Sequence, residues 1–222
     1  MKTFTKDIQA SITPKQALEL LHEGNRRFVN NQMAERNLLQ QVIDTSNGQW
    51  PFAVVLSCLD SRTSTELIFD LGIGDVFNAR IAGNIVNEDI LGSMEFACKV
   101  AGAKLIVVLG HTRCGAIKGA CDHVKLGNLT GLLSKIEPAV SAEQQTKDNR
   151  TSANTEFVEN VSKLNVVKNV EEILNRSEIL KDMVEQGQVG IVGGMYDITT
   201  GKVEFYEETK KINRAETAEA NV

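Results

Sequence analysis

The chain has 222 residues, 42% of them hydrophobic and 24% charged, enough for a folded unit with a sizeable core. A net charge of -5 argues against nucleic acid as a partner, since phosphate binding needs a basic face, and no apolar run reaches the ~20 residues that span a bilayer. The start, Met1 to Gln16, lacks the apolar core of a secretion signal, and four cysteines are few for this length; both features point to a reducing, cytoplasmic setting in which thiols serve as ligands or core residues.

Residues 1–12 read as a loose leader. Thr13-Pro14 is a helix start, with Thr as cap and Pro in the first turn, and Ala17, Leu18, Leu21 and Phe28 carry the helical spacing to Asn31. Gln32 to Gly48 is polar and reads as connection. Phe52 to Leu56 is a short apolar run suited to a buried parallel strand; it ends in Ser57-Cys58-Leu59-Asp60-Ser61-Arg62, followed by a helix through Leu71. A second strand, Val76 to Ile81, stops at Ala82-Gly83-Asn84, and Ile90 to Ala101 reads as a helix. Leu105 to Leu109 is the clearest strand; after Gly110-His111 a helix starts near Cys114. Ser141 to Glu156 reads as an exposed helix end or loop, and Phe157 to Gln186 as helix broken near Asn175 to Ser177. Val189 to Tyr196 is a strand, Thr199-Thr200-Gly201 a turn, and Lys202 to Tyr206 an antiparallel edge strand; residues 212–222 read as a loose tail. Alternating strands and helices predict one α/β domain over 1–222, with a mainly parallel sheet between flanking helices.

In such sheets, ligands sit beyond the carboxyl ends of the strands. Two strand ends carry metal-binding side chains: Cys58 and Asp60 after the first, His111 and Cys114 after the third. Two thiolates and one imidazole suit zinc, and three protein ligands leave a fourth position open, the mark of a catalytic site. Asp60 either closes that position or, held by Arg62 in a bidentate pair, leaves it to water and orients the water. A redox pair of Cys58 with Cys114 and a non-catalytic zinc module are the alternatives. Nucleotide binding is disfavoured, because Ala116 stands where a phosphate loop needs lysine. Cys98 and Cys121 read as core residues, His22 as a helix-surface residue, and His123 as an exposed histidine or a proton shuttle.

The stretches Ser57 to Arg62 and Gly110-His111-Thr112-Arg113-Cys114-Gly115 resemble the two signatures of β-class carbonic anhydrases. Gly74 to Asn84 resembles a third motif of that family, with Ile81 in place of its usual asparagine, and Gly194-Met195-Tyr196-Asp197 resembles its last strands. The resemblance runs from about Thr13 to Tyr206. It implies one zinc ion on Cys58, His111 and Cys114, a catalytic Asp60–Arg62 dyad, a substrate-binding Gln49, and an apolar pocket wall at Phe77 and Phe96 that comes partly from a neighbouring subunit. The implied reaction is reversible hydration of carbon dioxide to bicarbonate and a proton by attack of zinc-bound hydroxide. The implied assembly is a homodimer or a dimer-based tetramer. A hydrolase for carbonyl sulfide or carbon disulfide would share these ligands.

Overall fold

The structure is a computed structural model and describes residues 3–212. Helix α1 (Lys6–Ser11) is followed by α2 (Pro14–Val29), α3 (Leu38–Asp44), β1 (Ala53–Ser57), α4 (Thr65–Ile68), β2 (Val76–Arg80) and α5 (Glu88–Glu95). Then come β3 (Leu105–His111), α6 (Gly115–Cys121), α7 (Gly127–Leu133), α8 (Glu137–Ala142), α9 (Thr155–Arg176), α10 (Glu178–Glu185), β4 (Gly190–Tyr196) and β5 (Val203–Lys211). The five strands form one sheet in the order β2-β1-β3-β4-β5. The first four are parallel, and β5 runs antiparallel to β4 along one edge.

Both faces of the sheet are covered, which is why the central strands are apolar throughout rather than alternating. Val54, Leu56, Ile106 and Val108 pack toward α5, α9 and α10, and Val55, Val107 and Leu109 pack toward α2 and α4. Helix α9 approaches the sheet closely. Val166 on α9 occupies the space above Gly110 and Gly193, where an added Cβ would lie 2.7 and 2.6 Å from its methyls. The expected start of α2 is present in full: Thr13 accepts from the Gln16 amide while the Gln16 side chain accepts from the Thr13 amide.

Several expectations are corrected. The leader is not featureless: Lys6–Ser11 is helical, and buried Gln9 donates to the carbonyls of Pro51 and Ala101, tying α1 to the strand ends. The tie is one polar side chain, which leaves no apolar period. The connection 32–48 contains α3, capped by Asn37; its apolar residues face outward, so it lacks a core-facing stripe. The helix after Arg62 lasts only Thr65–Ile68, because Asp70 turns into the left-handed region at φ 47°. The helix expected at Ile90 begins at Glu88, capped by Asn87, and its last turn, Phe96–Val100, widens to π geometry. The loop after α8 is not wholly exposed: Glu143 is buried and paired with Arg150. The edge strand extends to Lys211, with a register shift between Ile191 and Gly193. The break between α9 and α10 falls at Ser177, as expected, and Ser177 caps α10. Residues 213–222 of the expected tail lie outside the described residues.

Candidate metal centre

The parallel register sets the ends of β1 and β3 side by side, Ser57 opposite Leu109. The chain leaving β1 therefore delivers Cys58 next to His111, the last residue of β3, and Cys114, which caps α6. Among the described residues these three form a group whose ligand atoms all lie within 4.8 Å of one another, and all three are buried.

The geometry of that group fits a metal ion. The two sulfurs are 3.9 Å apart. A disulfide requires about 2.05 Å, whereas two sulfurs at 2.3 Å from a tetrahedral zinc stand about 3.8 Å apart. The His111 ring is fixed by Nδ1, 2.9 Å from the carbonyl oxygen of Thr112. A carbonyl only accepts, so Nδ1 carries the hydrogen and Nε2 presents its lone pair. That Nε2 is buried and has no hydrogen-bond partner among the described residues. A buried acceptor without a partner is costly in a core and expected of a ligand.

The two thiols are coupled through their contact. The hydrogen bond from Cys114 is the main cause that pulls Cys58 down to about 4, against its own burial. The same contact, together with burial, pushes Cys114 strongly upward. A Gly83 amide also donates to Cys58 Sγ at 3.4 Å.

Asp60 lies beside the group, not within it. Arg62 holds it through three contacts: Nε to Oδ1 at 2.9 Å, Nη2 to Oδ2 at 2.7 Å, and its own amide to Oδ1 at 2.9 Å. This grip is the principal reason the carboxyl stays well below the usual carboxylate range. Its Oδ2 remains 3.9 Å from His111 Nε2, so one oxygen faces the ligand group while Arg62 retains both.

Residues missed by sequence reasoning brace this turn. Arg80, at the end of β2, donates to the carbonyls of Cys58 and Asp60, and the Thr63 hydroxyl donates to the same two carbonyls. Glu159 on α9 accepts from the amide of Arg113, which adopts φ 56° between two of the ligands. Arg80 sits in the third motif, and that was the only available signal.

The residues expected to line a substrate pocket, Gln49, Phe77 and Phe96, are not gathered at the sulfur–imidazole group within this chain. Phe77 pairs with Val54, four residues short of Cys58, so it sits about 13 Å back along the strand. Phe77 and Phe96 pack edge to face, 6.2 Å apart, in an open groove along the outer edge of β2. Gln49 is exposed in the connection entering β1. Cys98 and Cys121 are buried in the core as expected, and His22 lies edge-on to Phe205 at the surface. His123 is exposed beyond α6 and bonded to Glu137.

The sequence pattern described as "Carbonic anhydrase" matches residues 53–203. "Carbonic anhydrase 2" of Mycobacterium tuberculosis is 33% identical over 198 residues, spanning 85% of this chain and 91% of the relative. The chain belongs to the β-carbonic anhydrase family. The carbonic anhydrase of Mycolicibacterium smegmatis is 32% identical, spanning 86% of this chain and 93% of its own. The solved β-carbonic anhydrase CafA of Aspergillus fumigatus superposes with a TM-score of 0.65 at 25% identity, over 87% of this chain and 90% of its own. At 24% identity and a TM-score of 0.65, a β-carbonic anhydrase of Sordaria macrospora, described as tetrameric, shares the fold over 74% of this chain and 85% of its own. Carbonic anhydrases are carbonate dehydratases, so this is an enzyme family, and the ligand group sits where its two signatures converge.

Proposed function

We propose that the chain catalyses reversible hydration of carbon dioxide to bicarbonate and a proton, with one zinc ion held by Cys58, His111 and Cys114. The carrying observation is the sulfur pair at 3.9 Å with a buried, unpartnered imidazole nitrogen beside it. Zinc supplies Lewis acidity that makes water nucleophilic near neutral pH. With zinc bound, Asp60 would orient that water by accepting its hydrogen, and Arg62, which occupies both carboxylate oxygens, would hold Asp60 back from becoming a ligand itself. Arg80 and Thr63 fix the backbone that carries this dyad. Gln49 serves as donor to an oxygen of substrate or product, and Phe77 and Phe96 as the apolar surface for carbon dioxide.

The active unit in this reading is a homodimer or a dimer-based tetramer. Leu38, Leu39, Val42 and Ile43 of α3 are all exposed, an apolar face that a lone chain leaves in water. The Phe77–Phe96 groove on the β2 edge is likewise open. A second copy covering both would supply the pocket wall that one chain keeps away from its own ligand group. Among the described residues no helix is long and apolar enough to cross a membrane. A reducing compartment, such as the cytoplasm, keeps the two sulfurs from joining.

Zinc content and stopped-flow carbon dioxide hydration, measured on one preparation, test the reading. One zinc per chain with hydration activity is expected. A metal-free protein, or a zinc-loaded one that turns over carbonyl sulfide but not carbon dioxide, would overturn it.

A further inference from the structure

Helix α9 carries buried asparagines that the chemistry above does not use. Asn165 and Asn169 are only 2% and 7% exposed, on a largely apolar face with Val158, Val161, Val166, Val170 and Ile173 that also carries buried Ser162. Asn165 Nδ2 donates to the Gly83 carbonyl at 2.9 Å. Asn169 Nδ2 donates to the Asn165 carbonyl at 2.8 Å and to its Oδ1 at 3.2 Å, while Asn169 Oδ1 accepts from the Val86 amide at 2.9 Å. The two side chains thus grip the segment from Gly83 to Val86 at both ends. From that segment the Gly83 amide reaches Cys58 Sγ at 3.4 Å.

The segment has little slack. Gly83 sits at φ 70°, and a Cβ there would lie 2.6 Å from Ile136 Cδ1. The gripping helix is registered to the sheet at the same level, because Val166, next to Asn165, fills the space above Gly110, one residue before His111. Burying amide side chains costs free energy unless every polar atom is bonded, and an aliphatic residue would serve a helix packed on this face at least as well. What an aliphatic residue cannot supply is a donor at a fixed point over the Gly83 carbonyl.

We propose that Asn165, braced by Asn169, is a positioning residue for the metal centre, holding the Gly83 loop so that its amide stays aimed at Cys58 Sγ. The inference rests on the zinc reading above. An N–H donor on a thiolate draws off charge and fixes the direction of its lone pairs, so moving that donor changes how Cys58 meets a cation.

The test uses the full chain carrying Asn165→Leu, which removes the donor and leaves no room for a substituting water. Zinc affinity is read by chelator competition, and the cobalt(II)-loaded protein by its absorption spectrum. Zinc affinity should fall about 10- to 100-fold, with a shift of the sulfur-to-cobalt charge-transfer band. A variant that melts earlier yet binds zinc as tightly, with an unshifted cobalt spectrum, would overturn the proposal and reduce the asparagines to scaffold. Should Asn165→Leu fail to fold, Asn169→Ser leaves Asn165 in place without its brace. It should move both readouts the same way by less, and unchanged readouts there overturn the proposal equally. A wild-type chain that takes up neither ion overturns the zinc reading itself, a result distinct from equal binding by wild type and variants.

Discussion

Loading the site with zinc, at a pH below the onset of hydration activity so that water on the cation keeps its hydrogens, should release about one proton per chain. The count follows from the sulfur pair. Cys58, pulled down to about 4 chiefly by its contact with Cys114, has already lost its proton at pH 7. Cys114, raised by that same contact and by burial, still holds one. Whichever sulfur carries it at a given instant, the pair holds a single proton, and a cation bound by two thiolates must displace it. The His111 Nδ1–H points to the Thr112 carbonyl, which leaves Nε2 to face the cation. Zinc affinity should therefore rise about tenfold per pH unit around neutrality. Calorimetric titration in two buffers of different ionisation enthalpy measures the released protons directly. Two protons per zinc would mean that Cys58 is an ordinary thiol in the folded chain. None would mean that both sulfurs tolerate being thiolates 3.9 Å apart without a cation. Either result refutes the shared-proton account. Free zinc at a hundred times its dissociation constant adds about 2.7 kcal/mol of stability. At roughly 2–4 °C per kcal/mol for a chain of this size, melting should rise by about 5–11 °C over the chelated protein.

Asp60→Asn should retain one zinc per chain while hydration falls by about 100-fold or more, since the amide no longer accepts as a carboxylate does; unchanged turnover would remove Asp60 from the mechanism. Hydration should rise from mildly acid to alkaline pH, because two thiolates give the cation more charge than imidazoles would and so leave water harder to activate; a flat stopped-flow profile contradicts this. Asp70→Asn should cost about 3–5 kcal/mol in urea unfolding, because fully buried Asp70 is the shared partner of Arg27 and Arg36 and also accepts from the Ala34 amide. Burial alone would raise the Asp70 carboxyl, but Arg36 and Arg27 outweigh it and hold the group low. The wild-type chain should keep this contribution above the ordinary carboxylate range and lose it as pH falls through the lowered value. A urea midpoint within error of wild type for Asp70→Asn would refute the assignment.

The strands were legible because burial on both faces leaves runs such as Leu105 to Leu109 with no polar interruption, and the ends of α2 and α10 because Thr13 and Ser177 cap by local chemistry. Helices α1 and α3 escaped notice for opposite reasons. The first is held by the polar reach of Gln9 to Pro51 and Ala101. The second turns its apolar side chains outward, so no core-facing period marks it.

The ligands were legible for a related reason: each lies within three residues of a strand end, so local sequence carries both identity and position. What arranges them does not. Gly83 is 25 residues from Cys58, and Asn165 is 82 residues from Gly83. No spacing rule connects them; only the sheet order does, by setting β1 between β2 and β3 with α9 packed on β3 and β4 beside it. The one trace in the sequence was chemical, two asparagines four apart on a valine-rich helix face, where an amphipathic reading expects aliphatic residues. Such breaks in a core stripe mark places where a fold accepts a less stable side chain in return for a fixed hydrogen bond. Here that bond ends one peptide away from the thiolate that ionises most readily. The polar interruptions of α9 and the placement of the Cys58 sulfur are therefore two ends of one arrangement, and a change at either should register at the other.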